Sequence, residues 1–324
     1  MDGPLKLGLI GAGCWGRNII RTIDDLGGQR LHRLASTNPE SKTLVESDCA
    51  VSKDWREVAA APDLDGLIIA GPPTHHAEMA ALAITAGIPV LIEKPLTLDV
   101  EEARTLLGLA RKKAAIVLVD HIHLFHPAYV RLKHQGLGMG AVHAIRSVGG
   151  DWGPFRQDVS VLWDRGSHDV AMCLDLMAAN PESISAHLKE GRETADGYGE
   201  TITLKLDFPE SITANIEVGN LMGQKKRFLV VHYDRETLIY DDLSEAPLVR
   251  EPRPTGPGCE PVHAEAFHLS RKAPLACVLE AFSQAIHRGE EDLSGLELGV
   301  QVVEVLAVAE ASLREGGKKL NFDP

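Results

Sequence analysis

The chain has 324 residues, enough for two domains at roughly 150 residues each. Hydrophobic residues make up 44%, charged residues 24%, and the mean hydropathy is −0.06, a globular composition that excludes fibrous and disordered classes. Lys plus Arg number 33 against 46 Asp plus Glu, a formal net charge of −13; general attraction to a phosphate backbone is missing and no nucleic-acid partner is expected, although backbone N–H groups can still hold an anion locally.

Over the first 120 residues, short apolar runs alternate with helical segments, the pattern of βαβ units around a parallel sheet. A strand is expected at residues 5–10, a helix at 14–26 stopped by Gly27-Gly28, and a second strand at 31–36. A helix at 55–61, a strand at 66–70, a helix at 74–86 ended by Gly87 and a buried strand at 90–92 follow. Asp99 is an N-cap with Glu102 at the third helical position, opening a helix to about residue 113, and a strand at 116–119 closes the series. Beyond residue 120 the alternation gives way to longer strands in succession, which sets a domain boundary there: 1–120 and 121–324. Pro127 suits the first turn of a helix that stops near Gly136, and strands are expected at 142–149, 228–231 and 238–240. Residues 201–208 and 212–218 alternate apolar and polar positions around Pro209-Glu-Ser211, a hairpin with one solvated face. Helices are expected at 170–177, 276–288 and 296–314, and the proline- and glycine-rich stretch 251–260 reads as an irregular surface loop.

Apolar runs are too short for a membrane helix, and the first residues lead into a strand without the basic, apolar and cleavage segments of a signal peptide. Five scattered cysteines, Cys14, Cys49, Cys173, Cys259 and Cys277, form no C-x-x-C pair, which suits reduced thiols. A cytoplasmic protein with neither zinc site nor disulfide framework is expected.

The strongest motif is Gly11-Ala-Gly13-Cys-Trp-Gly16, between the first strand and the first helix. Gly11 permits the tight turn, Gly13 lets the backbone approach a pyrophosphate, and Gly16 lets the helix pack closely on the strand, while the helix N-terminus offers positive partial charge. A merely structural glycine turn is the competing reading. The carboxylate that reads a ribose about 20 residues on is absent, since the second strand ends Ala35-Ser36-Thr37-Asn38. Ser36 and Thr37, aided by Arg17 or Lys42, suit a 2′-phosphate, so NAD(P) is expected with a lean to NADP; alternatively, Ser36 and Thr37 only end the strand and cap a helix near Pro39.

Gly71-Pro-Pro-Thr-His-His76 and Glu93-Lys-Pro95 each follow a strand, at the sheet edge where open parallel sheets bind ligands. Lys94 there is either catalytic or a solvated surface charge. Trp163-Asp164-Arg-Gly-Ser-His168-Asp169 leads into an apolar helix, with Asp164 or Ser167 as a possible cap and His168 on its first turn.

Together, the fingerprint, Glu93-Lys94-Pro95 and the Asp164-x-x-x-His168 spacing resemble the Gfo/Idh/MocA family of oxidoreductases over nearly the whole chain. The resemblance implies an N-terminal Rossmann domain and a C-terminal α/β domain with an open, mostly antiparallel sheet, through which such proteins form homodimers or homotetramers. Gly13-Cys-Trp-Gly-Arg-Asn18, His126-Pro-Ala128 and the Trp163 to Asp169 segment look most like the branch acting on sugars or nucleotide-linked sugars. It also implies catalytic roles: Lys94 steadying an alkoxide, Asp164 as its acidic partner and His168 transferring the proton. Around the cofactor these readings gather Gly11, Gly13, Cys14, Trp15, Gly16, Ser36, Thr37, Gly71, Pro72, Thr74, His75, Glu93, Lys94 and Pro95. Around a carbohydrate-like substrate they gather Lys94, Asp120, His121, Arg156, Asp164 and His168.

Two positions depart from the family pattern. Ser36 stands in place of the ribose-binding acid, and Asp120 opens Asp120-His-Ile-His123 where small or amide residues are usual. His121, His123 and His126 have a superficially metal-like spacing, but strand alternation and the helix at Pro127 spread them, so they read as core or pocket histidines and no metal is expected. The expected activity is hydride transfer between a nicotinamide and a secondary hydroxyl or ketone of a sugar, cyclitol or nucleotide-linked sugar. The alternatives are an NAD(P)H-dependent reductase of an imine, enone or other carbonyl, and a non-catalytic NAD(P)-binding sensor or scaffold.

Overall fold

A computed structural model describes residues 3–252 and 264–323. The chain divides into two compact units, Met1–Ile122 with Ala273–Val303, and His123–Lys272 with Glu304–Pro324. Most of the loop expected at 251–260, and Cys259, lie outside the described residues.

In the first unit the chain runs through β1 (Leu5–Ile10), α1 (Cys14–Leu26), β2 (Gln29–Ala35), a 3₁₀ turn Pro39–Leu44, β3 (Ala50–Ser52), α2 (Trp55–Ala59), β4 (Gly66–Ile69), a 3₁₀ turn Pro73–His75, α3 (His76–Thr85), β5 (Val90–Glu93), α4 (Val100–Lys113) and β6 (Val117–Asp120). The strands form a parallel sheet in the order β3-β2-β1-β4-β5-β6. Leu7, Leu9, Leu67, Ile69, Val90, Ile92 and Val117 are fully buried. Uninterrupted apolar strands of this kind need helices on both faces, which α1 to α4 provide. Gly27 in the left-handed region ends α1, and Asp99 accepts from the Glu102 N–H at 2.9 Å to start α4, both as the sequence indicates. The segment expected to be helical from residue 74 instead begins with the 3₁₀ turn, and α3 proper starts at His76.

A later part of the chain returns to this unit: α7 (Pro274–Arg288) and the opening of α8 (Ser294–Arg314). Ser283 donates to Gln29 Oε1 at 2.8 Å, and the Val117 N–H donates to Asp292 O at 3.0 Å. Gly66 lies so close to Phe282 and Ile286 that a Cβ there would meet both. Sequence alternation registered the crossing near residue 120 but carries no trace of this return.

The second unit contains a 3₁₀ turn across its start (Ile122–Phe125), α5 (Pro127–Gly136), β7 (Val142–Trp152), a π-helical turn Leu162–Gly166, α6 (Ser167–Met177), β8 (Ser183–Thr194), β9 (Gly197–Asp207), a 3₁₀ turn Pro209–Ser211, β10 (Thr213–Gly219), β11 (Leu221–Tyr233), β12 (Glu236–Asp241), β13 (Leu248–Pro252), β14 (Glu265–Ala266) and β15 (Leu320–Asn321). Their order is β14-β13-β12-β11-β7-β10-β9-β8-β15, antiparallel throughout except for the parallel pair β7 and β10. The β9–β10 hairpin pairs Asp207 with Thr213 across Pro209–Ser211, as the alternation indicates. Helices α5 and α6 are tied where the Tyr129 hydroxyl donates to Asp175 Oδ2 at 2.8 Å. Among the described residues no helix is long and apolar enough to cross a membrane.

Candidate active site

The turn after β1 is shaped by its glycines. Gly11 has φ +101°, and a Cβ there would lie 2.5 Å from Ala70 O; a Cβ at Gly16 would collide with Gly11 O. At Gly13 nothing lies within 4 Å of that position, so the space is open. Gly13 is also the N-cap of α1 and offers no side-chain cap, leaving the first amides of the helix for an anion. These features fit the pyrophosphate of a dinucleotide: close-packed backbone behind, open space in front, and uncapped N–H groups with the helix dipole. Cys14 and Trp15 open the helix, and Trp15 is exposed.

At the end of β2, Ser36 Oγ lies 2.7 Å from Ser41 Oγ and accepts from the Asn38 N–H at 3.2 Å. Asn38 Oδ1, in turn, accepts from the Glu40 N–H at 3.0 Å. Asn38 therefore caps the turn at Pro39, and the capping role expected of Ser36 or Thr37 falls to it. Ser36 is half-buried, Thr37 is exposed, and no carboxylate occupies residues 35–38.

Beyond β4, Gly71 is half-buried while Pro72, Thr74 and His75 are exposed. The neighbouring His76 is fully buried, with Nε2 3.0 Å from Gly71 O and Nδ1 3.0 Å from Pro95 O. Burial lowers its pKa, and the neutral ring donates to one of these carbonyls at a time. His76 thus ties the loop after β4 to the loop after β5. Of this pair of histidines, His75, the one expected at the cofactor, is exposed, and His76 is buried; alternation does not reveal the difference.

Glu93 ends β5, and Lys94 and Pro95 follow it with a cis peptide bond between them. Glu93 pairs in register with Asp120, the last residue of β6, so the two carboxyl groups stand side by side. The Trp15 indole N–H donates to Glu93 Oε1. Asp120 is 2% exposed, and neither of its oxygens receives an ordinary N–H or O–H donor. Burial, then the negative charge of Asp120, pushes the Glu93 carboxyl well above the usual carboxylate range; burial likewise raises Asp120, opposed by a hydrogen bond with Glu93, then by Lys94 and Trp15. The adjacent His121 is 2% exposed with both ring nitrogens unpartnered. Burial, then the charge of Lys94, pushes its pKa down to about 3, so the ring is neutral.

In the second unit, the π-helical turn Leu162–Gly166 carries Asp164 and runs directly into α6, whose N-cap, Gly166, has no side-chain bond. The capping role expected for Asp164 or Ser167 is therefore not taken up. Arg156 donates to Asp158 through Nε at 3.0 Å and Nη2 at 2.7 Å, and through Nη1 to Asp164 at 3.3 Å. His168 sits in the first turn of α6, its ring edge-on to His123 with centroids 5.0 Å apart. The Arg227 guanidinium donates to His123 Nε2, which places the His123 proton on Nδ1, 3.1 Å from the Tyr240 hydroxyl. Asp169, 1% exposed, accepts from the Ser147 hydroxyl, and burial raises its pKa against the pull of Arg227. The sequence reading named His123 only as a pocket or core histidine and missed Arg227, Tyr240 and Ser147. These lie on β11, β12 and β7, and only strand register brings them together. Among the described residues no group of three or more His, Cys, Asp or Glu side chains is placed to hold a metal ion.

A family model described as an oxidoreductase family with an NAD-binding Rossmann fold, GFO_IDH_MocA, matches residues 5–121. The chain belongs to the Gfo/Idh/MocA family. It is an oxidoreductase of that family, and similarity extends beyond the Rossmann unit. A UDP-N-acetylglucosamine 3-dehydrogenase of Acidithiobacillus ferrooxidans is 26% identical over 318 residues, covering 96% of this chain and 99% of the relative. An inositol 2-dehydrogenase of Rhizobium meliloti is 23% identical over 337 residues, covering 97% and 98%. A crystal structure described as an oxidoreductase of Magnetospirillum magnetotacticum MS-1 is 41% identical, with a TM-score of 0.87 over 95% of this chain and 100% of that one.

Proposed function

We propose that this family member moves a hydride between a nicotinamide and a secondary hydroxyl or ketone of a sugar, cyclitol or nucleotide-linked sugar. The observation that carries the reading is the uncapped glycine turn of α1 on the same sheet edge as Lys94. The named activities of the relatives, on a nucleotide sugar and on inositol, support the substrate class. With the pyrophosphate of the dinucleotide held at the turn, its nicotinamide would supply the acceptor or donor of the hydride. In alcohol oxidation, His168 takes the hydroxyl proton at a ring nitrogen, a general-base contribution of about 10²–10⁴-fold. Lys94 holds the developing alkoxide with its ammonium N–H groups, a preorganised role of the kind worth ~2.7–4 kcal/mol at comparable oxyanion sites. Asp164 orients the lysine or the histidine, and Arg156 with Asp120 and His121 frames the substrate. Ketone reduction runs the same residues in reverse.

The first unit, as NAD(P) domain, leans to NADP, because Ser36 stands where a carboxylate would repel a 2′-phosphate. The second unit, as substrate domain, also forms a homodimer or homotetramer through its sheet, a reading supported by the exposure of Trp152, Leu188 and Tyr198 on its strands. The enzyme works in the cytoplasm on this reading.

Nicotinamide absorbance followed with a panel of polyols, inositols and nucleotide sugars, with each of NAD and NADP, tests the proposal. Turnover with a member of the panel is expected. Lys94→Ala and His168→Ala are expected to lower turnover by at least about 10²-fold while cofactor still binds. Unchanged turnover in either variant removes that residue's role, and no turnover with any carbohydrate removes the substrate class.

A further inference from the structure

The Glu93 and Asp120 carboxyl groups are not explained by hydride transfer alone. They are the terminal residues of β5 and β6, paired in register, with Asp120 buried and Glu93 half-buried beside it. Two ionised carboxylates so placed repel, and the indole of Trp15 and the charge of Lys94 are shared between them rather than given to Asp120 alone. A single proton between them resolves both problems: one carboxyl donates to the other, and the pair keeps one negative charge. The Lys94 ammonium matches that charge, leaving the group balanced.

Among the described residues of this unit, four side chains bear on the pair or lie beside it. Trp15, from α1, donates its indole N–H to Glu93; Lys94, from the end of β5, is the positive charge felt by both carboxyls. His121, after β6, is neutral, and His76, from α3, is engaged with Gly71 O and Pro95 O and is also neutral. Loss of the shared proton would leave one uncompensated negative charge in a place of low dielectric, where a nearby positive charge is strongly felt.

In a Rossmann sheet the pyrophosphate lies at the glycine turn, and the two halves of the dinucleotide extend to either side along the carboxyl edge. Here one side runs over β2, with Ser36 after it, to β3, and the other runs over β4, β5 and β6. Trp15 links that turn directly to Glu93. The nicotinamide half therefore belongs on the side of the carboxyl pair. An oxidised nicotinamide ring carries a positive charge and a reduced ring carries none.

We propose that Glu93 and Asp120 share one proton in the free enzyme and release it when the oxidised, positively charged nicotinamide binds, so that the pair distinguishes the two redox forms of the cofactor by charge. With the reduced cofactor the proton stays. The inference rests on the cofactor reading but not on any sugar substrate. By linkage, affinity for the oxidised form rises with pH wherever the free pair holds its proton and the bound pair does not, and it levels off once the free pair is itself ionised. Affinity for the reduced form is flat over the same range. Asp120 and Glu93 act here as specificity-determining residues, beside the reacting atoms' own acid and base.

The test mixes the full-length protein with oxidised or reduced cofactor, without sugar, in weakly buffered solution containing a pH indicator. Release of up to about one proton per site is expected with the oxidised form and none with the reduced form. The dissociation constant of the oxidised form should fall by up to about tenfold per pH unit in that window. Asp120→Asn should abolish both the proton release and the slope while retaining affinity for the reduced form. A variant-free check is the infrared band of a protonated carboxyl group, present in the free enzyme and lost on binding the oxidised cofactor. No proton release by the wild type, a persistent carboxyl band in its oxidised complex, or undiminished release by Asp120→Asn would overturn the inference. Failure of both redox forms to bind would instead overturn the cofactor reading itself.

Discussion

A methyl group distinguishes the three glycines of the turn after β1. At Gly16 it would strike the carbonyl of Gly11, whereas at Gly13 it would enter open space. Gly13→Ala is therefore expected to keep the unfolding temperature nearly unchanged and, on the proposed cofactor reading, to weaken cofactor binding, because the methyl would enter the space left open for the pyrophosphate. Gly16→Ala should lose both, with a strain penalty of about 1–3 kcal/mol, the range for overpacking. Thermal unfolding paired with cofactor titration checks the contrast, and equal stability of the two variants would contradict it. The tight turn at Gly11 and the close packing at Gly16 were legible because a glycine fingerprint fixes backbone geometry locally. The meeting of Glu93 with Asp120 was not legible as a pair, although both residues were singled out, because cross-strand register decides it. The same holds for Arg227 and His123, which only the second sheet brings together.

Among the elements, helix ends were read well where a side chain does the capping and poorly where backbone does. Asp99 caps α4 as expected, but α6 emerges from a π-helical turn without any side-chain cap. Strand β8 escaped notice because much of it is charged and exposed, from His187 to Glu193, so no alternation marks it. Its anchor is Asp207 at the end of β9, which accepts from Ser183 at 3.1 Å and pairs with Lys205 at 2.8 Å and Lys319 at 2.7 Å. Burial alone would raise this carboxyl, but the bonds from Lys205, Lys319 and Ser183 bring its pKa down to about 2. A carboxyl held below its unfolded value of ~3.9 contributes stability that is full above that value and is lost as pH falls through the folded value. Asp207→Asn should thus cost on the order of 1–2 kcal/mol near neutral pH, a figure already reduced for the exposure of both lysines. The difference from wild type should shrink as pH falls from about 5 toward 2, read from urea midpoints. A difference independent of pH would assign the effect to shape rather than charge.

At the scale of the molecule, the change from βα alternation to strand succession sets the expected boundary at residue 120, the compact units part between Ile122 and His123, and the family resemblance supplied the fold class on either side. Residues 273–303 rejoining the first unit left no local signal, since an amphipathic helix does not name its partner. The return covers Gly66 with Phe282 and Ile286 and closes Val117 onto Asp292. A fragment of residues 1–122 should therefore unfold at lower temperature and denaturant than the same fragment joined by a flexible linker to residues 273–303. Calorimetry of the two would decide, and equal stability would mean that α7 is dispensable to the sheet.

That return also has a bearing on synthesis. Domains commonly fold from the N-terminus as they leave the ribosome. Here the unit begun first is finished late: its sheet stays uncovered over Gly66 until the segment carrying Phe282 and Ile286 emerges, after nearly all of the other unit has been made. The nascent Rossmann unit is thus exposed to chaperones and proteases for most of translation, and α7 is the segment that ends that interval.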